Sequence, residues 1–214
     1  KWNILSGNND RTVNLILDHN IVSGVAWHSD TYYVTGGPTE AVAALNNATK
    51  DKWNSVLIRS DSFSQSIKSD TNLKTYTFSI DYTGMKARLP EGYEIAIASG
   101  YDSFKYSSQT YYFDSKNITR TVGYDKDIKT SSYSWLFNNL NYGSNANDSS
   151  DGYTCLYHGC IQNLGKTSGD TGYWTSTTIS DYSDRAWHVY YGGNLMNSGI
   201  VSLLGIRPVI TLNN

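Results

Sequence analysis

GYWTSTTISDYSDRAWHVYYGGNLMNSGIVSLLGIRPVITL, from Gly172 to Leu212, is the stretch that decides the fold. Trp187, Val189 and Tyr191 alternate with His188 and Tyr190, the period of two expected of a half-buried strand. Gly192-Gly193 follows at once, a dipeptide that takes the positive φ of a tight hairpin turn without steric cost. Asn194, Leu195 and Met196 resume the alternation, with Leu195 on the side of Trp187 and Val189. Ile206, Val209, Ile210 and Leu212 then make a closing strand, in which Pro208 suits an edge or a bulge. The expected unit is a β-hairpin plus a terminal strand, with a polar loop at residues 177–184 in front.

Upstream, TVNLILD at residues 12–18 is β-branched and apolar and predicts an early strand, and Val25-Ala26-Trp27 a second, short one. Gly36-Gly37-Pro38 breaks the chain. Thr39 is placed to cap a helix from Glu40 to about Asn47, with Ala41, Ala44, Leu45 and Ala48 on one side and Trp53 under its end. Residues 60–71 are polar and read as loop, whereas residues 75–82 alternate, with Tyr76, Phe78, Ile80 and Tyr82 on one face of a strand. Pro90 fits a first helical turn, complemented by Glu91 and Glu94, with Ile95, Ala98 and Tyr93 toward the core and Gly100 as the stop. Gly92 inside that turn is unfavourable to a helix. Residues 103–129 carry strand-like pieces at 111–113 and 118–122, and residues 133–140 form a short aromatic segment around Trp135 and Leu136.

At 214 residues the chain is long enough for one sizeable core, and a single domain over residues 1–214 is expected. A formal charge of −2 gives no general attraction to nucleic acid or to an anionic membrane, and no apolar run is long enough to span a bilayer. Charged residues are only 17%, against 18 Tyr and 6 Trp, so the surface depends on uncharged groups for its contacts. Tyrosine gives large contact area at little rotamer cost, and Asn, Ser and Thr supply hydrogen bonds, the chemistry of a binding surface. Such a composition suits a secreted β-rich protein, and Lys1 at the start is expected to mark a fragment of a longer surface protein.

The order Gly172-Tyr173-Trp174-Thr175-Ser176, then Ala186-Trp187-x-Val189, a Gly turn, and Gly205-Ile206-Arg207-Pro208-Val209 resembles the end of the C-type lectin fold. Ala87-Arg88-Leu89-Pro90 with Glu94 resembles the helix start of the same family. The likeness is to the bacterial branch related to formylglycine-generating (sulfatase-modifying) proteins, which includes the variable ligand-binding domains of diversity-generating retroelements. Over residues 1–85 only the general character is similar, through Leu15-Ile16-Leu17-Asp18. The resemblance implies an α+β, C-type lectin-like fold: mixed, mostly antiparallel sheets, about two helices and long loops. It also implies an extracellular, cell-surface binding role for the segment 172–212. Diversified positions in that family start as Asn codons changed only at adenines. Ile, Leu, Val, Ser, Tyr, His and Asp arise that way, whereas Met, as at Met196, does not.

Four scattered histidines (His19, His28, His158, His188) form no H-E-x-x-H, and no G-x-S-x-G elbow or phosphate loop is present. Cys155 and Cys160 admit a local disulfide, a redox pair or half a metal site. A metal would need further soft ligands beyond His158, so no metal is expected, and the extracellular composition favours a disulfide that pins the Gly- and Asn-rich residues 141–172. The enzymes resembled carry their cysteine pair near the final Gly-x-Arg, downstream of the Trp strand; here the pair precedes Trp174, so their oxidase chemistry does not carry over. Asn147-Asp148-Ser149-Ser150-Asp151-Gly152 has the look of a calcium loop, but His158 stands where the bidentate Glu belongs, leaving an Asx-rich turn as the expectation. The lectin calcium tripeptides are absent too. No cofactor and no catalytic residue is expected, and the chain reads as a non-enzyme.

What remains is a binding face. With Trp187, Val189 and Leu195 inward, alternation sends His188, Tyr190, Asn194 and Met196 outward. Ser180, Asp181, Tyr182, Asp184 and Arg185 flank them on one side, and Ser198, Ile200, Ser202 and Leu203 on the other. The expected partner is a protein or glycan on another cell, with no nucleic acid and no direct membrane contact by this fragment. The alternatives from other classes are a pilin-like or fibre-tip structural subunit and an enzyme descended from the formylglycine-generating group.

The cysteine reading is checked by intact mass before and after reduction of secreted protein. The pair should resist alkylation until reduced, and its removal by two Ser substitutions should leave the domain folded. Two alkylated thiols without reduction would exclude the bridge.

Overall fold

A computed structural model describes residues 1–30, 36–68, 75–98, 103–106, 109–112, 136, 172–178, 184–190 and 194–213. The architecture is mixed α+β, mostly strands in antiparallel sheets, with two helices among the described residues. In chain order these are β1 (Trp2–Gly7), β2 (Thr12–Leu17), β3 (Val22–Val25), α1 (Thr39–Thr49), β4 (Ser62–Lys68) and β5 (Thr75–Asp81). They continue with α2 (Gly92–Ala98), β6 (Ser103–Tyr106), β7 (Gln109–Tyr112), β8 (Gly172–Thr178) and β9 (Arg185–Tyr190). The chain closes with β10 (Asn194–Gly199), β11 (Leu204–Ile206) and β12 (Val209–Asn213).

The two ends of the chain meet in one sheet, ordered β1-β2-β12. The closing strand pairs antiparallel with β2, Val209 opposite Ile16 and Leu212 opposite Val13. A second sheet, ordered β10-β9-β8-β11-β3, holds the hairpin, and its one parallel pairing is β11 with β8 at Gly205 and Tyr173. β4 pairs with β5, and β6 with β7.

Both strand glycines that line this parallel contact are required by space. A Cβ on Gly205 would overlap the Asn20 amide, and one on Gly172 would overlap the Val189 carbonyl. Two residues after Gly205 stands Arg207, fully buried, donating through Nε to the Leu17 carbonyl and through Nη1 to the Leu136 carbonyl at 2.7 Å. Its guanidinium lies 5.1 Å from the Tyr173 ring centroid. Burial pushes the Tyr173 hydroxyl up to about 12.

The Arg-Leu-Pro segment is the second seam. Arg88 and Val209 exchange both backbone hydrogen bonds at 2.9 Å, and the Pro90 carbonyl accepts from Ser176 N–H, so residues 88–90 bridge β12 to β8. The buried Arg88 guanidinium grips both carboxylate oxygens of buried Glu94. Burial opposes the Arg88 charge, yet the Glu94 carboxylate beside it holds the pKa above the ordinary arginine value. Glu94 also accepts from the Glu91 N–H at 2.9 Å, which caps α2. Gly92 is buried, and its N–H donates to Thr177 Oγ1 at 2.9 Å.

The main core gathers Trp27, Leu45, Phe78, Tyr82, Leu89, Trp174 and Ile206, contributed by most of these elements. Along β5 and its exit the alternation expected from sequence holds, with Phe78, Ile80 and Tyr82 buried and Thr77, Ser79 and Asp81 exposed. α1 buries Ala41, Leu45 and Thr49 and runs two residues past the expected Asn47; its N-cap is Pro38, because the Thr39 hydroxyl is engaged by Glu40 and His28 instead. Trp53, at φ 53°, packs edge-on to Trp2 at 4.9 Å. Residues 62–68, expected as loop, form β4, whose low intrinsic preference is overcome by seven paired positions along β5.

Trp187 is fully buried on a strand paired on both sides. Trp187→Ala should lower unfolding stability by about 3–5 kcal/mol through the cavity it leaves. Leu203→Ala, at an exposed position, should change it by less than about 0.5 kcal/mol. Urea titration of both variants checks the pair.

Candidate functional site

The hairpin forms in the expected register: Tyr190 lies opposite Asn194, Val189 opposite Leu195, His188 opposite Met196 and Trp187 opposite Asn197. Trp187, Val189 and Leu195 are buried together with Tyr173 of the neighbouring strand, as the alternation required. The other face is not open where His188 stands. His188 is only 3% exposed, which corrects the expectation that it points to solvent. The reason is β8: Trp174 pairs with His188 and packs against its ring edge-on at 5.8 Å, and Trp174 and Ala186 belong to the main core. The sheet is covered on both sides at this level, so alternation separates two buried faces rather than inside from outside.

Ile200 is the second correction: it was expected on the exposed flank and is 1% exposed, within the main core. Its backbone is fixed as firmly as its side chain. The Ile200 carbonyl accepts from Trp27 N–H at 2.8 Å and His28 N–H at 3.1 Å, and its own N–H donates to Asp184 at 2.9 Å. That anchoring turns the neighbours outward. Val201 is 43% and Leu203 55% exposed, and Ser202, partly buried, closes the turn through its N–H to the Gly199 carbonyl at 2.9 Å.

Arg185 is exposed at the start of β9 and donates to the Asn197 side chain on β10 at 2.9 Å, with Ser198 and Asp184 partly buried beside it. Tyr190, Asn194 and Met196 have the strand positions given above. Ser180, Asp181 and Tyr182 lie outside the described residues, as do Cys155, Cys160 and the Asx-rich residues 147–152. Of the expected site, the structure therefore brings Asp184, Arg185, Ser198, Ser202 and Leu203 to one end of the hairpin, and removes His188 and Ile200 from its surface.

A cleft of about 600 Å³ lies elsewhere, between the terminal sheet, residues 57–61 and α2. No periodicity in the sequence announces it, since its walls come from Ser6, Asn14, Arg59, Glu91, Tyr93, Thr211 and others far apart in the chain. Arg59 donates to Asp61 at 2.7 Å and to Thr211 Oγ1 at 3.0 Å. Glu91 is raised to about 7, chiefly by burial and then by the Glu94 carboxylate, against the pull of Arg88. Burial and the two glutamates likewise raise the Tyr93 hydroxyl.

Among the described residues no cluster of His, Cys, Asp and Glu is arranged to hold a metal ion, and no helix is long and apolar enough to cross a membrane. No family model, curated protein or solved structure matches the chain.

Glu91 gives the fold a pH signature. Its folded pKa lies above the ordinary 4.5, so its contribution to stability is full below that value and is lost as pH rises through about 7. The difference in stability between the parent and Glu91→Gln should therefore move in favour of the variant between pH 4.5 and 8. Paired melts across that range check the sign; a constant difference would contradict it.

Proposed function

We propose that the chain is a non-catalytic, extracellular ligand-binding domain of a bacterial cell-surface protein, on a C-type lectin-like fold of the kind found in retroelement-diversified proteins. The fold reading is supported by the joining of both chain ends in one sheet and by the hairpin sheet that follows α2. It is supported also by the structural use of the resembled residues, with Arg88, Leu89, Gly205 and Arg207 all buried in seams.

The single observation that carries the binding role is the turn after β10. Ile200 is anchored in the core and by three backbone hydrogen bonds, while Val201 and Leu203 on either side of Ser202 face solvent. A large apolar pair presented on an already ordered turn loses little conformational freedom on docking. With Arg185 and Asn197 at the neighbouring strand ends, the patch has an apolar centre and a polar border, the make-up of a protein-binding surface. Tyr182 and Tyr190 extend this surface in the sequence-based reading, and a protein on another cell is the ligand preferred over a glycan.

The test screens the purified domain against surface-protein and glycan arrays, then compares variants on the selected partner. Val201→Asp combined with Leu203→Asp should weaken binding by at least about tenfold and leave the melting temperature unchanged. Lys50→Ala and Lys126→Ala should change neither binding nor the melting temperature. Selection of glycans alone, or full affinity in the double variant, would overturn the protein-docking reading.

A further inference from the structure

The cleft beside α2 has a charge imbalance that its own residues do not resolve. Its walls hold four carboxylates, Asp10, Asp61, Glu91 and Glu94, against two guanidinium groups, Arg59 and Arg88. Both guanidiniums are committed: Arg88 to Glu94 in a buried two-pronged pair, and Arg59 to Asp61 at 2.7 Å. Asp10 is exposed and accepts from Thr12 N–H at 3.0 Å and Thr12 Oγ1 at 2.6 Å. Glu91 alone remains, and among the described residues its carboxylate has neither an ion pair nor a hydrogen bond. A mostly buried carboxylate facing a cavity without a partner is costly to charge, and a cation brought into the cavity would remove that cost.

The rest of the lining suits a particular kind of cation. Tyr93 stands in the wall with Glu91, close enough for Glu91 to raise its hydroxyl pKa. An aromatic face next to a carboxylate attracts an ammonium or guanidinium by its quadrupole as well as by charge. Leu57, Ile58 and Ile97 are exposed at the same cleft and offer apolar cover for an alkyl chain. Bare metal ions are poorly matched, because among the described residues no cluster of His, Cys, Asp and Glu converges to hold one.

We propose that this cleft is a binding site for a primary amine or guanidinium carried on an aliphatic stem, with Glu91 as its counter-charge, Tyr93 against the cation and Ile58 and Ile97 along the stem. The site is separate from the turn at Val201 and Leu203 and stands whether or not that turn docks a protein. Binding is linked to protons. The cation pairs with ionised Glu91, so complex formation expels the proton the carboxyl holds near neutrality, and affinity grows as pH rises through about 7. The neighbouring charges, Arg59, Arg88, Asp61, Glu94 and exposed Asp10, remain in their existing pairings throughout.

Calorimetric titration of the whole chain with agmatine and cadaverine, with a short peptide carrying a central Arg or Lys, and with 1,5-pentanediol tests the site. The amines should bind and the diol should not. Affinity should fall by about tenfold from pH 8 to pH 5.5, and Glu91→Gln should lose about tenfold at pH 8 and respond little to pH. Asp10→Asn should change affinity by no more than about threefold, as expected of a solvent-screened charge. A peptide that binds more tightly than agmatine identifies the natural source as a polypeptide side chain, and equal affinity identifies a small amine. Equal binding of diol and amine, an unchanged affinity in Glu91→Gln, or no heat with any amine would each overturn the assignment. If the variant folds poorly, the pH profile of the parent and the amine–diol comparison decide alone.

Discussion

The crossing of the chain at residues 204–209 is the constraint on which the two sheets depend. In six residues the backbone serves β11, between β3 and β8, and then enters β12 beside β2. Such a transfer between sheets leaves carbonyls at the strand ends without ladder partners, and in a buried place each would be costly. Arg207 answers this with a rigid, multi-donor side chain, satisfying Leu17 at the end of β2 and the carbonyl of Leu136. Burial lowers its pKa, with the Tyr173 hydroxyl and then Asp18 opposing that shift. A lysine would supply a point charge without the fork and would shed its proton more readily in such surroundings. Gly205 is the other half of the device, since the Asn20 side chain occupies the space where any Cβ would go, and donates to Gly172 at 3.2 Å.

That crossing divides the single closing strand expected over Ile206, Val209, Ile210 and Leu212: Ile206 ends β11 in one sheet, Val209 opens β12 in the other, and the strands before it were only half legible. Period-two alternation states which residues share a face of a strand. It says nothing of whether a second layer covers the opposite face. For Thr77 to Tyr82 one face is covered and the alternation translates directly into burial. For Arg185 to Tyr190 Trp174 packs against His188 on one side and Tyr173 lies level with Val189 on the other, so Trp187 and His188 are both enclosed. GYWTSTT is buried at all seven positions, yet four of them are Thr or Ser, so no continuous apolar run in the sequence marks it as a central strand whose neighbour is covered on both faces.

Elements missed in the sequence share a different cause. β1 and β4 are polar or irregular segments whose strand state comes from pairing with the next strand along the chain, Leu17 opposite Trp2 and residues 75–81 opposite residues 62–68. Local preference has little to say about such pairing. The cleft is less legible still. Its walls bring together residues 5–14, 57–61, 88–97 and 211, and none of these is unusual alone. Glu91 reads in the sequence as an ordinary acidic residue in a first helical turn, and only its burial distinguishes it.

The two glutamates of that turn show how one local rule yields two different outcomes. Both favour the helix start by charge, and sequence alone makes them equivalent. Arg88 breaks the equivalence. Its side chain follows from the Val209 pairing of its backbone, so the guanidinium lies beside α2 and takes both oxygens of Glu94. Glu94 in turn accepts the Glu91 N–H, and Thr177 accepts the Gly92 N–H, which holds the first turn against β8. With the turn so fixed, Glu91 stays partly buried beside arginines already in use. Its unpaired carboxylate is a consequence of the seam that joins the sheets, and the cleft inherits its charge from the architecture rather than from any local sequence signal.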